Sequence, residues 1–400
     1  MKKLLLISII ACLVTISSYS QGYWTQKADV PNSDRANATC FSVLDKGYVC
    51  LGVTTIHVTD LEEYDPLTNT WTTKAPFPGA ARRCATAFSI GNKAYVGIGA
   101  IGPPYTFYTD FYEYDPTLNT WTAKAPFPGP GRINAYGFTV DNIGYFGGGN
   151  TSSSNYYGDL WAYNPSADTW TQKNNPPFAA RAGANTFAIK SKGYVGFGLD
   201  LNNNSLTDFW EYKPLLDVWT QKASCPGGAR YMAVGFSMFD YGYFVTGYST
   251  GTMKDLWQFD PNANAWTQLL DLTGTARSNG IAFSLNNKGY VGTGYVGPAS
   301  TDYINDFWEY TPSWWGIDHA NNTFEFSLYP SPAHEKLFVV LPKVSVPAMA
   351  TIYNLNGQTV MQHTLSNVET QIDISSLAKG IYMLKLVCDE GVMVKRFIKE

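Results

Sequence analysis

Six arginines recur along this 400-residue chain, at Arg35, Arg82, Arg132, Arg181, Arg230 and Arg277. Each follows a Pro/Gly-rich stretch and precedes a run of small residues ending in Phe, as in Ala184-Asn185-Thr186-Phe187. A guanidinium presents a planar fork that holds a carboxylate or other oxyanion through two parallel hydrogen bonds. Arginines gathered at one mouth would make an anion site. An aspartate recurs in step, at Asp60, Asp110, Asp159, Asp208, Asp255 and Asp306. It offers the arginines a second role, in which each pairs with the Asp of its own repeat and faces inward, since an unpaired buried carboxylate is costly. No unique catalytic pair accompanies either set, so no catalytic residue is assigned. The region 21–316 holds one histidine, His57, which argues against a histidine-based metal site. Neither a metal nor another cofactor is expected.

The elements that carry these residues are short strands. Trp24, Trp71, Trp121, Trp170, Trp219 and Trp266 each open the phrase Trp-Thr, at intervals of 47, 50, 49, 49 and 47 residues. Each unit reads as four strand signals: a (ending in Phe-x-x), b (as in Gly193-Tyr194-Val195-Gly196), c (as in Asp208-Phe209-Trp210-Glu211-Tyr212) and d (as in Trp219-Thr220-Gln221-Lys222). The c–d connection carries turn chemistry, as in Asp115-Pro116-Thr117-Leu118-Asn119, where Pro fixes φ and Asn follows. Four-strand units at a period near 50 predict a β-propeller in which each blade covers the next.

In such a blade the d–a and b–c connections share one face. The arginines lie in the d–a connections, and the b–c connections vary most in length and content. Variable loops on a rigid scaffold are where function concentrates. The candidate face therefore joins the six arginines to Tyr105, Tyr108, Tyr156, Tyr157, Asn203 and Tyr303. Tyr and Asn there suit a flat polar ligand such as a sugar, or a peptide segment. The phrase Asp-Phe-Trp-Glu-Tyr, in contrast, recurs once per unit and reads as scaffold.

This pattern resembles the kelch repeat family over residues 22–312: an Arg, a hairpin ending near glycines, then Tyr-Asp-Pro-x-x-Asn-x-Trp. The adjacent glycine pair of that family is mostly Gly-x-Gly here, as in Gly97-Ile98-Gly99, with Gly147-Gly148-Gly149 closest to the family form. The resemblance implies a propeller like that of galactose oxidase, and some six-bladed relatives are sialic acid mutarotases. Copper chemistry of the galactose oxidase kind needs histidine ligands that this region lacks, whereas a mutarotase-like reaction needs only an acid/base pair and anion-binding arginines. The sixth unit breaks off after strand c at Tyr310-Thr311-Pro312, while the chain begins with an unaccompanied d strand at Trp24-Thr25-Gln26-Lys27. That strand is expected to complete the sixth blade and remove an open edge.

The flanking segments speak of export. Lys2 and Lys3 precede an apolar run from Leu4 to Ile16, which predicts a signal peptide over 1–20. Reading Ile9-Ile10-Ala11-Cys12 as a lipoprotein box would leave an unusually short leader. After a linker expected at 317–326, the segment 327–400 carries Tyr329-Pro330-Ser331-Pro332, then Leu377-Ala378-Lys379-Gly380-Ile381-Tyr382 and a basic tail. It resembles the C-terminal sorting domain of type IX secretion cargo in Bacteroidetes, which implies a small β-sandwich and a secretion-machinery partner. The net charge of −4 gives no basic stripe for nucleic acid, and no further segment reads as a membrane span. Cys40 and Cys50 flank one hairpin turn, but small residues at the same places in other units favour two buried free thiols. The expectation is an all-β chain: a six-bladed propeller over 21–316, then a sandwich over 327–400. It would act as a secreted or surface binding protein for a glycan or protein; a sugar-modifying enzyme and a structural surface component are the alternatives.

Overall fold

The computed structural model describes residues 22–32, 34–297, 302–312, 326–341, 348–354, 358–388 and 391–400, including side chains except at 387, 388 and 391–394. The leader expected over 1–20 lies outside them, as does the expected linker at 317–326 apart from Phe326. Among the described residues every helical or extended element is a strand. Six four-stranded antiparallel sheets run in the order a-b-c-d. The first is built from Thr39–Val43, Lys46–Cys50, Leu61–Asp65 and Thr70–Thr73. The sixth takes a, b and c from Ile281–Leu285, Lys288–Tyr295 and Tyr303–Thr311, and its d strand is Tyr23–Lys27 from the start of the chain. The register runs from Tyr23 opposite Thr311 to Lys27 opposite Phe307. The first and last strands of the propeller are thus zipped into one blade.

The repeated phrases are explained by contacts between blades. Strand a presents a Phe to the neighbouring blade, where strand b approaches so closely that only hydrogen fits: a Cβ on Gly144 would lie 2.1 Å from the Phe88 ring. The d-strand indole reaches back to the preceding blade, as when Trp121 Nε1 donates to the Ala75 carbonyl at 2.9 Å. The Asn of the c–d turn works in the opposite sense. Asn119 sits at φ 53° and its side-chain oxygen accepts from the Ala75 N–H at 2.9 Å and from the Tyr114 hydroxyl at 2.9 Å. Two-residue a–b turns such as Asp141-Asn142, with φ 50° and 61°, match the twist of the strands they join.

Strand a lines the centre, where a cavity of about 250 Å³ is bounded by small residues and hydroxyls, among them Ser42, Ser89, Thr139, Ser237 and Ser284. Cys40 and Cys50 are free thiols. Cys40 donates to the Ala282 carbonyl, and burial, partly offset by that bond, pushes its thiol up to about 12.

The chain divides into two units between Pro312 and Ser313. In the second, Ser327–Tyr329, Lys336–Val340 and Glu369–Asp373 form one sheet. Thr359–Leu365, Ala348–Asn354, Gly380–Cys388 and Gly391–Lys399 form the other. Phe326, Leu337, Val339, Ile352, Leu384, Leu386 and Phe397 belong to its buried apolar cluster.

Candidate functional site

The arginines show which of their two roles they fill. All six side chains are at most 1% exposed, and each guanidinium meets the recurring Asp of its own blade. Arg181 is representative. Its two terminal nitrogens donate to the two Asp208 oxygens at 2.7 Å each, Nη1 also donates to the Phe197 carbonyl at 3.0 Å, and Nε donates to the Ala179 carbonyl at 3.1 Å. Burial works to raise the Asp208 carboxyl, but Arg181 and the Trp210 indole N–H outweigh it and hold it below the ordinary value. The fork expected to receive a ligand anion already holds a carboxylate of the protein. The physical reason is burial: a guanidinium removed from water requires a paired anion.

The pairing also explains the Gly-x-Gly variant. The middle residue takes a positive φ even when it carries a side chain, as at Ile98 (55°) and Phe197 (64°). That turn aims its carbonyl at the arginine of the same blade. Arg82, Arg132, Arg181, Arg230 and Arg277 thereby tie the d–a connection, the end of strand b and the Asp of strand c into one knot beneath the candidate face, whereas Arg35 bonds Asp60 and the Pro31 carbonyl.

The loop residues separate into two groups. Tyr108 and Tyr157 are occupied from below, with the guanidiniums of Arg82 and Arg132 over their rings at 4.1 and 3.8 Å. Tyr105, Tyr156 and Asn203 belong to the b–c connections and Tyr303 opens strand c of the sixth blade, all without stacking on a buried arginine. Tyr105 is 47% exposed, Asn203 is exposed in a turn at φ 61°, and Tyr303 packs edge-on against Tyr295 at 4.9 Å.

Several residues not singled out in the sequence reading complete this face. A circuit of left-handed residues, one per blade, precedes strand a: Asn37, Cys84, Asn134, Gly183, Met232 and Asn279. Their backbones bond blade to blade, as in Cys84 N–H to Asn37 O at 2.9 Å and Met232 N–H to Gly183 O at 2.9 Å. The position just before this circuit varies from blade to blade, only Ala occurring twice. It is Ala36, Arg83, Ile133, Ala182, Tyr231 or Ser278. Tyr231 stands edge-on to Tyr248 at 5.6 Å. Burial raises the Tyr231 phenol, and the nearby Tyr248 and Tyr156 phenols raise it further.

Arg83 stands on the other side of this ring of positions. Its Nη2 donates to the Tyr105 hydroxyl at 2.5 Å, and its guanidinium lies 5.4 Å from the Tyr105 ring. His57, from the b–c loop of the first blade, is held below its ordinary pKa by burial first and by the Arg83 charge second. The signal for Arg83 was present in the doubled Arg82-Arg83, where no other repeat has a second arginine. The face can therefore grip a ligand through unlike groups, aromatic at one place and cationic at another, with no covalent chemistry required.

Fold and face define a six-bladed, kelch-like β-propeller. Residues 327–400 match the family model described as the secretion system C-terminal sorting domain. A solved structure titled "Structure of YjhT" matches at a TM-score of 0.62 with 17% identity, covering 70% of this chain and 95% of that one. In all, 452 solved chains match, so the likeness fixes architecture and leaves activity to the site. No curated protein matches the sequence. The sorting domain marks the chain for type IX export to the cell surface or extracellular space. Among the described residues no helix is long and apolar enough to cross a membrane, which says nothing of strands.

Proposed function

We propose that the protein is an exported binding module that takes a glycan or protein ligand on the face formed by its b–c loops. The observation that carries this reading is the contrast between positions that repeat and positions that do not. The c–d turns reuse one set of contacts, exemplified by Asn69, Asn119, Asp168 and Asn264 each accepting from a backbone N–H of the preceding blade. On the loop face, the position after each structural arginine carries an unrelated side chain in most blades. A symmetric scaffold with one unsymmetric face is the arrangement expected of a recognition surface. Tyrosines such as Tyr105 and the Tyr231–Tyr248 pair supply rigid amphipathic contact area of the kind that stacks on sugars and peptides.

A glycan array tests this, with Tyr231→Ala and Tyr248→Ala as partners to the unmodified protein. Saturable binding that both substitutions weaken supports the reading. Binding untouched by any loop-face substitution would place the ligand elsewhere. In this proposal the sorting domain engages the secretion machinery, and the propeller is then released or attached to surface lipopolysaccharide.

A sugar-modifying reading of the mutarotase type is favoured by one observation: His57, an acid/base group, lies beside the Arg83 charge on the loop face. Anomerisation needs proton donation and removal at the ring oxygen and anomeric hydroxyl. A saturable acceleration of sialic acid mutarotation, lost in His57→Gln, would favour that reading over simple binding.

A further inference from the structure

We propose that Arg83 and His57, with Asn37 and Tyr295, form a pocket for the carboxylate of an acidic saccharide where blades six, one and two meet. The inference rests on the loop face being the binding surface and names the chemical group that one part of it takes.

Arg83 is the exception among the propeller's arginines. The other six have a carboxylate at ion-pair distance, whereas among the described residues Arg83 has none. Its Nε is buried and lacks a hydrogen-bond partner in the protein, and so does Nε2 of His57. A buried polar group left unpaired is costly. These two belong to side chains that interact electrostatically, one of them a cation, and with the His57 proton on Nε2 they point to an acceptor shared between them.

The position of Arg83 is held from three sides. Its backbone is clamped to Ala100, by N–H to O at 3.0 Å and by the reciprocal bond at 3.1 Å. Tyr105 accepts from Nη2 and sets the plane of the fork. Across the blade junction, Tyr295 lies within reach of the Arg83 charge, and its hydroxyl accepts from Asn37 Nδ2 at 3.2 Å. The site therefore offers one fixed positive charge, a neutral imidazole and an amide–phenol pair. That inventory matches a planar monoanion; a phosphate dianion would leave a negative charge uncompensated. Tyr295 and Tyr303, packed edge to face, add an aromatic surface on which a sugar ring can rest.

Calorimetric titration of the full chain with glucuronate and with its neutral isostere glucuronamide tests the pocket. Glucuronate is expected to bind, with glucuronamide and the Arg83→Ala variant each weaker by roughly tenfold or more. Arg83→Lys, which keeps charge but not the fork, should recover part of the loss. A second measurement needs no variant. Phenylglyoxal should modify Arg83 and spare the six buried arginines, and glucuronate should protect it. Equal affinity for acid and amide, no binding of either, or modification of Arg83 unaffected by glucuronate would each overturn the pocket. A peptide carboxylate binding more tightly than any acidic saccharide would overturn the saccharide assignment. Neutral glycans binding through Tyr231 and Tyr248 while Arg83→Ala changes nothing would defeat this inference and leave the binding reading intact.

Discussion

Two kinds of arginine in one propeller show how neighbours decide what a residue does. Arg181 is sealed against Asp208 and spends its donors on the fold, whereas Arg83 is half-buried with a nitrogen to spare. Removing one partner of a buried pair strands the other charge, so Arg181→Ala should cost about 3–5 kcal/mol in equilibrium denaturation. Arg83→Ala, by contrast, should leave stability nearly unchanged while weakening glucuronate binding. Finding the two variants equally destabilised would contradict the division. His57 gives a second prediction at this scale. Burial and then the Arg83 charge hold the imidazole below its ordinary pKa. The unfolded chain thus binds that proton more readily than the folded one. The stability His57 contributes is present above its ordinary pKa and is lost as pH falls toward the folded value. In Arg83→Ala the imidazole should titrate at higher pH than in the unmodified protein, yet still below the ordinary value, because burial remains. Imidazole NMR titration checks both parts, and an unmoved midpoint would break the link between the two residues.

At the scale of strands and turns, what repeats was legible and what breaks the repeat was not. Trp spacing, the Asp-Pro-x-x-Asn turn and the Gly-Tyr-Val-Gly hairpin identify strands because their contacts recur with each blade. The pairing of Arg with Asp could be stated from sequence only as one of two roles, since linear order carries no burial. Arg83 and His57 went unassigned because they lie 26 residues apart in the chain and meet only when two blades close. Tyr108 and Tyr157 looked like free loop aromatics because the arginines beneath them are distant in sequence. The glycine of strand b follows from close approach, which gives a test. Gly144→Ala places a methyl 2.1 Å from Phe88 and should cost roughly 1–3 kcal/mol by overpacking. The second blade has Ala94 at the equivalent place, buried in a cluster with Phe41, so a small backbone shift can absorb the methyl. If Gly144→Ala with Phe88→Leu is not more stable than Gly144→Ala alone, the clash is not the cause.

For the whole molecule, the sorting domain and the closure of the ring make separate predictions. Residues 327–400 have their own two sheets and apolar cluster, so their deletion should leave propeller melting unchanged while abolishing export to the medium. Closure is the more demanding case. Every blade ends in an outer d strand, but five of these strands are tied to strand c by a short turn, whereas Tyr23–Lys27 reaches its partner from the opposite end of the propeller. A local defect in a tethered d strand leaves the strand close to its place. The same defect in Tyr23–Lys27 opens the ring, frees the edge of Tyr303–Thr311 and breaks the bond from the Trp24 indole to Leu270 O at 3.0 Å. Thr25 and Thr267 occupy equivalent positions, each following the repeat Trp in its d strand. Proline removes the backbone donor at either site, so the local damage is matched. Thr25→Pro should therefore lower the melting temperature further than Thr267→Pro. It should also expose residues 22–28 to proteolysis and bring concentration-dependent association through the bared strand edge. Equal melting temperatures for the two variants, with both remaining monomeric, would mean that the ring stays closed without its zipped sixth blade.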